Sequence, residues 1–324
     1  MKKILISSSL LFAIIVLVPF IFVLCTKNDM QFLQVSTFNT AKDEQIVKVL
    51  KNDTIINVPL NEFIVGALAG EISPTAPKEA IKAQAVSIYT LLLYRKENAG
   101  YKKAHNNADI CADPSHCLLY LTKDEIYNKW GQEGYNLNYN KLVDITKSVQ
   151  LESICYNDKP INSIFFAISP GKTESCLNVF GEDLPYLQSV DSAEDETSVG
   201  YLSTVKLSKD KVHEKIHELN EKINLKDTDD AFAEMEILNS GCVSNIIIGS
   251  ETISGNEFRM AFSLRSNAFT VKSDKKNYTF SIKGYGHNVG LSQAGAIKMA
   301  ESGATYKEIL SHYYKDTEIK QKDL

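Results

Sequence analysis

Glu71 is an acidic side chain between two apolar segments of the sequence. Residues Asn61–Glu71 predict a short helix, residues 73–75 a turn, and Pro77 the first turn of a second helix. A carboxylate beside an apolar core loses hydration, which raises its pKa and lets it hold a proton near neutrality, as a general acid must. The alternative is that Glu71 only caps the second helix near the positive end of its dipole. In both interpretations the carboxylate faces the start of that helix.

Four further side chains have the chemistry of metal ligands: His105, Cys111, His116 and Cys117. Imidazole and thiolate groups are ordinary zinc ligands, and four of them in one short loop could close a tetrahedral structural site. The spacing is not that of a zinc finger. A Cys111–Cys117 disulfide is one alternative, and two free thiols with surface histidines are another.

The elements that must hold these residues are mixed. Apolar residues at helical spacing make the second helix a core helix. We also expect a helix over Leu142–Gln150, strands over Ser153–Tyr156 and Ile161–Ala167, a charged helix over 209–223, and paired strands over Cys242–Ile248 and Phe258–Leu264. The predicted fold class is α+β, with helices and strands around one catalytic groove.

The predicted domain organisation has four parts. Residues 1–27 form a transmembrane anchor and 28–52 a membrane-proximal lead. Residues 53–199 and 271–324 form the catalytic domain, and 200–270 form a smaller inserted α/β accessory domain with amphipathic elements of its own.

The N-terminus predicts the location. Ile4 to Leu24 is uncharged and mostly apolar, and as a helix it would span about 30 Å, the thickness of a hydrocarbon core. Lys2 and Lys3 precede it, so the N-terminus should stay in the cytoplasm. A cleaved signal peptide would need small residues before the cut, and a bulky Leu24 disfavours lipidation of Cys25. We therefore expect a single-pass cell-membrane protein with an extracytoplasmic C-terminal domain.

Composition excludes several classes. The 324 residues are 44% hydrophobic with a net charge of −5, which gives an ordinary core and no basic footprint for nucleic acid. There is no Walker or dinucleotide-binding glycine motif, so no nucleotide cofactor is expected.

Three stretches carry a resemblance to the stage II sporulation protein D family. GALAGEISPTAPKEAIKAQAV, from Gly66, resembles the opening signature of the family, in which a glutamate precedes E-A-(L/I)-K-A-Q-A-V. Gly284–Ala296 resembles the G-x-G-H-x-V-G-(M/L)-S-Q-x-G-A motif, and Ile309–Tyr314 resembles the closing helix. Phe165–Glu174 resembles, less closely, the S-S-G-G-x-T-E loop. The matches extend over roughly residues 55 to 318.

The resemblance implies a function. The family consists of lytic transglycosylases that cut peptidoglycan glycan strands during engulfment, with the glutamate that corresponds to Glu71 as the only acid and base. It implies 1,6-anhydromuramic product ends, and as partners an amidase and a membrane protein of the engulfment complex. Some relatives bind zinc through a set similar to the histidines and cysteines of this loop, so one structural zinc ion is expected.

Several polar residues in the motifs are candidate sugar contacts: Ser169, Lys172 and Thr173 of the middle loop, and His287 and Ser292 of the glycine-rich stretch. His287 is equally compatible with a structural role, and Ser292 also suits a helix N-cap.

Two positions depart from the family pattern: Tyr89 replaces an arginine and Pro170 replaces a glycine. These departures allow an alternative function, a non-catalytic glycan-binding or scaffolding paralogue of the engulfment complex.

Overall fold

The structure is a computed structural model that describes residues 45–223, 225, 231–232 and 234–324. It is a mixed α+β fold with several small sheets, as the sequence predicts. The helices are α1 (Leu60–Glu71), α2 (Lys78–Glu97), α3 (Ala99–Ala104), α4 (Lys123–Ser148), α5 (Cys176–Phe180), α6 (Lys209–Leu219), α7 (Gly255–Ala261), α8 (Gln293–Glu301) and α9 (Tyr306–Tyr313), with a 3-10 helix at Ala193–Thr197.

The strands are β1 (Ile46–Lys51), β2 (Thr54–Pro59), β3 (Ile110–Cys111), β4 (Glu152–Tyr156), β5 (Lys159–Pro160), β6 (Phe165–Phe166), β7 (Leu202–Ser208), β8 (Glu234–Ile237), β9 (Val243–Ile248), β10 (Glu251–Ser254), β11 (Phe269–Ser273), β12 (Asn277–Lys283), β13 (Leu291–Ser292) and β14 (Glu318–Gln321). They form two groups. Three small sheets lie in the part that carries Glu71: β2–β1–β3, β14–β4–β5, and the parallel pair β13–β6. Two antiparallel sheets, β11–β12–β7 and β10–β9–β8, form the second group.

Helix α2 is the centre of the first hydrophobic core. Small and branched side chains alternate around it, so it is buried on nearly all sides, and α1, α4, α8, α9 and β4 pack against it. The prediction of a core helix is confirmed. Because α2 is enclosed on nearly all sides, it fixes the position of α1, the helix that ends at Glu71.

The second core has its own residues, between Val212 and Ile282. Its centre is Phe258, whose ring contacts those of Phe232, Phe262, Phe269 and Phe280. This cluster includes Tyr278, Phe280 and Ile282 of β12, which lies beyond residue 270. The division into domains, with its boundaries at 200 and 270, stays a prediction.

Three local predictions need correction. Phe258–Leu264 is not a strand, because Ser254 and Glu257 form a capping box that starts helix α7 at Gly255. Over Ile161–Ala167 only Phe165–Phe166 is a strand. The helix predicted at Leu142 begins already at Lys123, with a break at Gly131, where φ is 67°.

The predicted membrane span at Ile4–Leu24 lies outside the described residues. Within residues 45–324, apart from the undescribed positions between 224 and 233, no helix is long and apolar enough to cross a membrane.

Candidate active site

The Glu71 side chain ends α1 and lies partly buried between two segments that are remote in sequence. The backbone N–H of Leu119 donates a hydrogen bond to its Oε1 at 2.5 Å, and Gln293 Nε2 donates to its Oε2 at 3.3 Å. The start of α2 has no side-chain cap. The carboxylate therefore does not cap that helix, because its hydrogen bonds go to Leu119 and Gln293. The expectation that it faces the helix start stays a prediction.

The environment of Glu71 favours the protonated form of the carboxyl. Burial raises the pKa of Glu71 above its ordinary value, and this effect exceeds the opposing effects of the Leu119 and Gln293 hydrogen bonds and of the Lys129 charge. Lys129 Nζ is held near the acid by a 2.9 Å bond to the carbonyl of Ala69. The group thus has a raised pKa, as proton donation requires, and donors that stabilise it once the proton has left.

Two glycines of α1 bring the Leu119 amide to the acid. A Cβ at Gly66 would overlap the carbonyl oxygen of Leu121, and one at Gly70 would overlap that of Leu119. Since the two glycines lie one turn apart, they form a smooth groove on α1 along which residues 118–121 run in close backbone contact. The glycine spacing in GALAGE therefore has a direct role in building the site.

The turn after Glu71 is held from α4. Lys141 Nζ donates to the carbonyl oxygens of Pro74 at 2.6 Å and Ala76 at 3.0 Å. Lys141 and Lys129 are thus two lysines of α4 that lie against the junction of α1 and α2.

The N-terminus of α8 brings Gln293 to Glu71. Ser292 is the N-cap, as predicted, and its hydroxyl accepts from the backbone N–H of Gly295 at 3.3 Å. Strand β13 pairs in parallel with β6, and the N–H of Ala294 donates to the carbonyl of Ala167 at 2.9 Å. Both contacts fix the start of α8, and its first residue, Gln293, is a direct partner of the acid.

Three of the predicted sugar contacts are completely buried: Ser169, Thr173 and Ser292. The Ser169 hydroxyl accepts from Gly171 N at 3.0 Å, and the Thr173 hydroxyl accepts from Val190 N at 2.9 Å. Because these hydroxyls have protein partners and no exposure, they support the middle loop from inside. Lys172, which is partly exposed, stays a predicted sugar contact.

His287 has both ring nitrogens in contact with backbone groups. Nε2 lies 3.0 Å from the carbonyl oxygen of Phe165, and Nδ1 accepts from Val289 N at 3.2 Å. Burial lowers the pKa of His287 to about 4, so the ring is neutral at physiological pH. This arrangement favours the structural interpretation of His287 over direct sugar contact.

The two departures from the family pattern have local explanations. Tyr89 is 2% exposed and donates to the carbonyl of Lys322 at 2.6 Å, so it points to the C-terminal segment. It lies roughly 16 Å along the helix axis from Lys78, at about 1.5 Å per residue. The carbonyl of Pro170 accepts from the Tyr201 hydroxyl at 2.9 Å. In the structure the positive charge near Glu71 comes from Lys129.

The four candidate metal ligands form one cluster. Their ligand atoms all lie within 4.8 Å of one another. His105 Nε2 is 3.2 Å from His116 Nδ1 and 3.3 Å from Cys117 Sγ, and Cys111 Sγ is 3.3 Å from His116 Nδ1. Both cysteines are free thiols, so the disulfide alternative does not describe this arrangement.

The three contacts of 3.2 to 3.3 Å are close to the ligand separations around a tetrahedral metal ion. Zinc bound to two nitrogens and two sulfurs has ligand separations of about 3.3 to 3.8 Å. A hydrogen bond from Cys111 lowers the pKa of the Cys117 thiol to about 7, and nearby Arg95 adds a smaller lowering. His105, Cys111, His116 and Cys117 could therefore hold a metal ion, and Cys117 lies two residues before Leu119, the amide partner of Glu71.

Comparison with known proteins gives the family. The family described as "Stage II sporulation protein" matches residues 50–152. Stage II sporulation protein D of Bacillus subtilis is 29% identical over the whole chain and 97% of its own length. The protein of the same name from Bacillus amyloliquefaciens is 30% identical over 84% of this chain and 77% of its own. The Bacillus subtilis protein named "Amidase enhancer" is 26% identical over 60% of this chain and 34% of its own length.

The chain belongs to the stage II sporulation protein D family, which functions in sporulation.

Sequence reasoning missed Leu119 and Lys129 beside Glu71, and it missed the buried Asp195, to which the Ser292 hydroxyl donates a hydrogen bond. Leu119 acts through its backbone, which leaves no signal in side-chain chemistry. Lys129 is one of many lysines in a long polar helix. Asp195 stands in a run of acidic residues, AEDET, which is typical of a solvated surface. The signal in the sequence that could have indicated the close backbone approach of residues 118–121 is the glycine pair Gly66 and Gly70.

Proposed function

We propose that this protein is a peptidoglycan lytic transglycosylase in which Glu71 is the single acid and base. Family membership supports peptidoglycan as the substrate class. The observation that carries the mechanism is the partly buried Glu71 carboxyl, with a raised pKa and with one hydrogen-bond donor on each oxygen.

The reaction has two proton transfers at one group. Protonated Glu71 donates its proton to the oxygen that links C1 of N-acetylmuramic acid to the next sugar, and that C1–O bond breaks. The carboxylate then takes the proton of the C6 hydroxyl as that oxygen bonds to C1 of the same sugar. The products are a 1,6-anhydromuramic end and a free 4-hydroxyl, and no water is consumed.

One carboxylate is enough because the nucleophile belongs to the substrate. Hydrolytic glycosidases need a second carboxylate to attack or to activate water. Intramolecular attack by the C6 hydroxyl has a proximity advantage on the order of several kcal/mol. The proximity of the C6 hydroxyl thus replaces the second protein group.

The neighbours of Glu71 stabilise the carboxylate that exists between the two proton transfers. The Leu119 N–H, the Gln293 amide and the Lys129 charge all favour the ionised carboxylate. They therefore limit the cost of proton donation without abolishing the raised pKa, and this balance lets one group act as acid and then as base.

A structural zinc ion would support this site from a distance. His105, Cys111, His116 and Cys117 would hold it, and the ion would supply a crosslink without taking part in the chemistry. The crosslinked loop leads directly into residues 118–121, so it would stabilise the position of the Leu119 amide.

We also propose an outward-facing location, with the N-terminal segment Ile4–Leu24 as a single membrane anchor. Glycan strands stripped of peptides by an amidase would be the substrate, with a membrane protein of the engulfment complex as a second partner. The similarity to a protein named "Amidase enhancer" supports an amidase partner.

The test compares three proteins: the wild type, Glu71→Gln, and the control Glu97→Gln, which changes an exposed glutamate at the far end of α2. Each is incubated with peptide-free glycan strands, and products are analysed by mass spectrometry. We expect anhydro-ended fragments from wild type and control, and about 10³-fold less from Glu71→Gln.

Equal product from wild type and Glu71→Gln would remove Glu71 from the mechanism. A wild-type protein that retains glycan on a binding column but forms no fragments would instead support the non-catalytic binding or scaffolding alternative.

A further inference from the structure

Asp195 is a carboxylate enclosed in the first core, outside the chemistry assigned to Glu71. It lies in the 3-10 helix Ala193–Thr197 and is 0% exposed. Burying a charged or polar group without partners is costly, so a carboxylate in this position must be held by hydrogen bonds.

Three donors converge on the Asp195 carboxylate from three different segments. The Ser169 backbone N–H donates to Oδ2 at 2.6 Å, the Ser292 hydroxyl also donates to Oδ2, and the Ser192 hydroxyl donates to Oδ1 at 2.9 Å. Ser192 in turn accepts from the hydroxyl of Tyr313 at 2.8 Å. Asp195 thus joins the middle loop, the start of α8 and helix α9.

The start of α8 fits tightly against this network. A Cβ at Gly295 would lie 2.7 Å from Asp195 Oδ1, and closer still to the Ser192 and Tyr313 hydroxyls. Glycine is therefore required here for the helix end to approach the carboxylate, which explains the glycine of the S-Q-x-G stretch in physical terms.

The contacts continue from Asp195 to the acid. Ser292 binds Asp195 and caps α8, and the next residue, Gln293, donates to Glu71. We propose that Asp195 is a positioning residue, which fixes the N-terminus of α8 so that the Gln293 amide stays on the Glu71 carboxyl. The positioning role does not depend on the proposed function; only its expected effect on turnover rests on that function.

The first test does not depend on activity. The full-length protein is labelled with ¹³C at glutamate side-chain carboxyls, and the Glu71 signal is assigned by its loss in Glu71→Gln. The Glu71 titration is then followed by NMR in the wild type, Gln293→Ala, Asp195→Asn and the double variant.

We expect Gln293→Ala to raise the pKa of Glu71, because it removes a donor to the ionised form. Asp195→Asn should raise it in the same direction, and the double variant should show no further change, since both act through one contact. A Glu71 titration that is unchanged in Asp195→Asn, or additive shifts in the double variant, would overturn the proposal.

Two variants separate positioning from loss of folding. Ser292→Ala cuts the same link from the other side and should reproduce the Asp195→Asn shift. Thr90→Val removes a buried hydroxyl of α2 that donates to Val86 O and accepts from Ile154 N, so it lowers stability without touching this path. A Glu71 shift in Thr90→Val equal to that in Asp195→Asn would reduce Asp195 to a structural role.

The second test is kinetic. If the glycan-cleaving activity is present, kcat of Asp195→Asn should fall about 10- to 100-fold with KM changed by less than about twofold, since a displaced amide affects the reacting group more than substrate binding. An inactive wild type would refute the proposed function, while the NMR titration would still decide the role of Asp195.

Discussion

Glu71 and Asp195 are two carboxylates of one core with different environments. Burial raises the pKa of both. Glu71 remains partly accessible and has one donor on each oxygen, whereas Asp195 is closed off and has three donors. The first arrangement suits the proposed proton exchange with a substrate, and the second holds several segments together through hydrogen bonds to the carboxylate.

The comparison shows that a raised pKa does not by itself identify a catalytic acid. Access and spare hydrogen-bonding capacity decide between a reacting group and a structural one. The two groups are also connected, because the start of α8 lies between them and binds both.

The largest effect is expected from removal of the metal. It should affect the surroundings of Glu71 and not those of Asp195, because the metal loop leads into Leu119. Purified protein treated with a strong chelator should lose about 4 kcal/mol or more of stability, equivalent to roughly 8 to 16 °C in Tm. Calorimetry with metal analysis checks this. A protein that carries no zinc and has the same Tm in chelator would contradict the metal site.

Gly295→Ala tests how closely the two groups are joined. The new methyl group would collide with the Asp195 network, so we expect a loss of about 3 kcal/mol of unfolding free energy and most of the activity. Denaturant unfolding and product analysis measure the two effects. Gly134→Ala, in α4, is the control and should cost far less; equal losses would show that the Asp195 contact is unimportant.

Neutralising the two carboxylates should have different effects on stability at pH 8. A raised pKa in the folded state means that stability is full below the unfolded pKa and is lost as the pH rises through the folded pKa. Glu71→Gln removes this cost, so its Tm should equal or exceed that of the wild type. Asp195→Asn removes a cost of the same kind, but it also replaces one carboxylate oxygen by an NH2 group that faces donors, so a net loss of about 1 to 3 kcal/mol is expected. Equal destabilisation by both variants, measured by thermal unfolding, would remove the distinction drawn between them.

Lys129 adjusts the acid from the solvent side. Its positive charge lowers the pKa of Glu71, so Lys129→Met should raise that pKa and move the high-pH limb of the activity profile to higher pH. Lys129→Arg, which keeps the charge, should leave the limb in place. A pH–rate profile of the three proteins decides, and a shift to lower pH in Lys129→Met would exclude the electrostatic role.

Tyr89→Phe should have the smallest effect. The Tyr89 hydroxyl donates to Lys322 O and has no contact with Glu71, so only about 1 kcal/mol of stability should be lost. Glycan cleavage at 25 °C should match that of the wild type. A strong loss of activity at unchanged Tm would show that position 89 reaches the acid in a way that this structure does not contain.

Much of the fold and part of the site could be read from the sequence. Helices α1 and α2, the acid at their junction, the Ser292 cap and the histidine–cysteine cluster follow from local spacing and side-chain chemistry. Segments such as Phe258–Leu264 could not be assigned, because a short apolar run fits a strand or a helix and here the capping box decided.

The amino-acid sequence by itself predicted Glu71 as the acid and singled out the four side chains that could bind a metal, since both inferences depend on residue types within short segments. Only the tertiary structure decided what surrounds the acid. The packing of α1, α4 and α8 around α2 brings together residues from remote parts of the chain: Leu119, Lys129, Gln293 and Asp195. Residues that are distant in sequence come close together because whole helices and strands pack against each other, and local sequence patterns do not predict that packing.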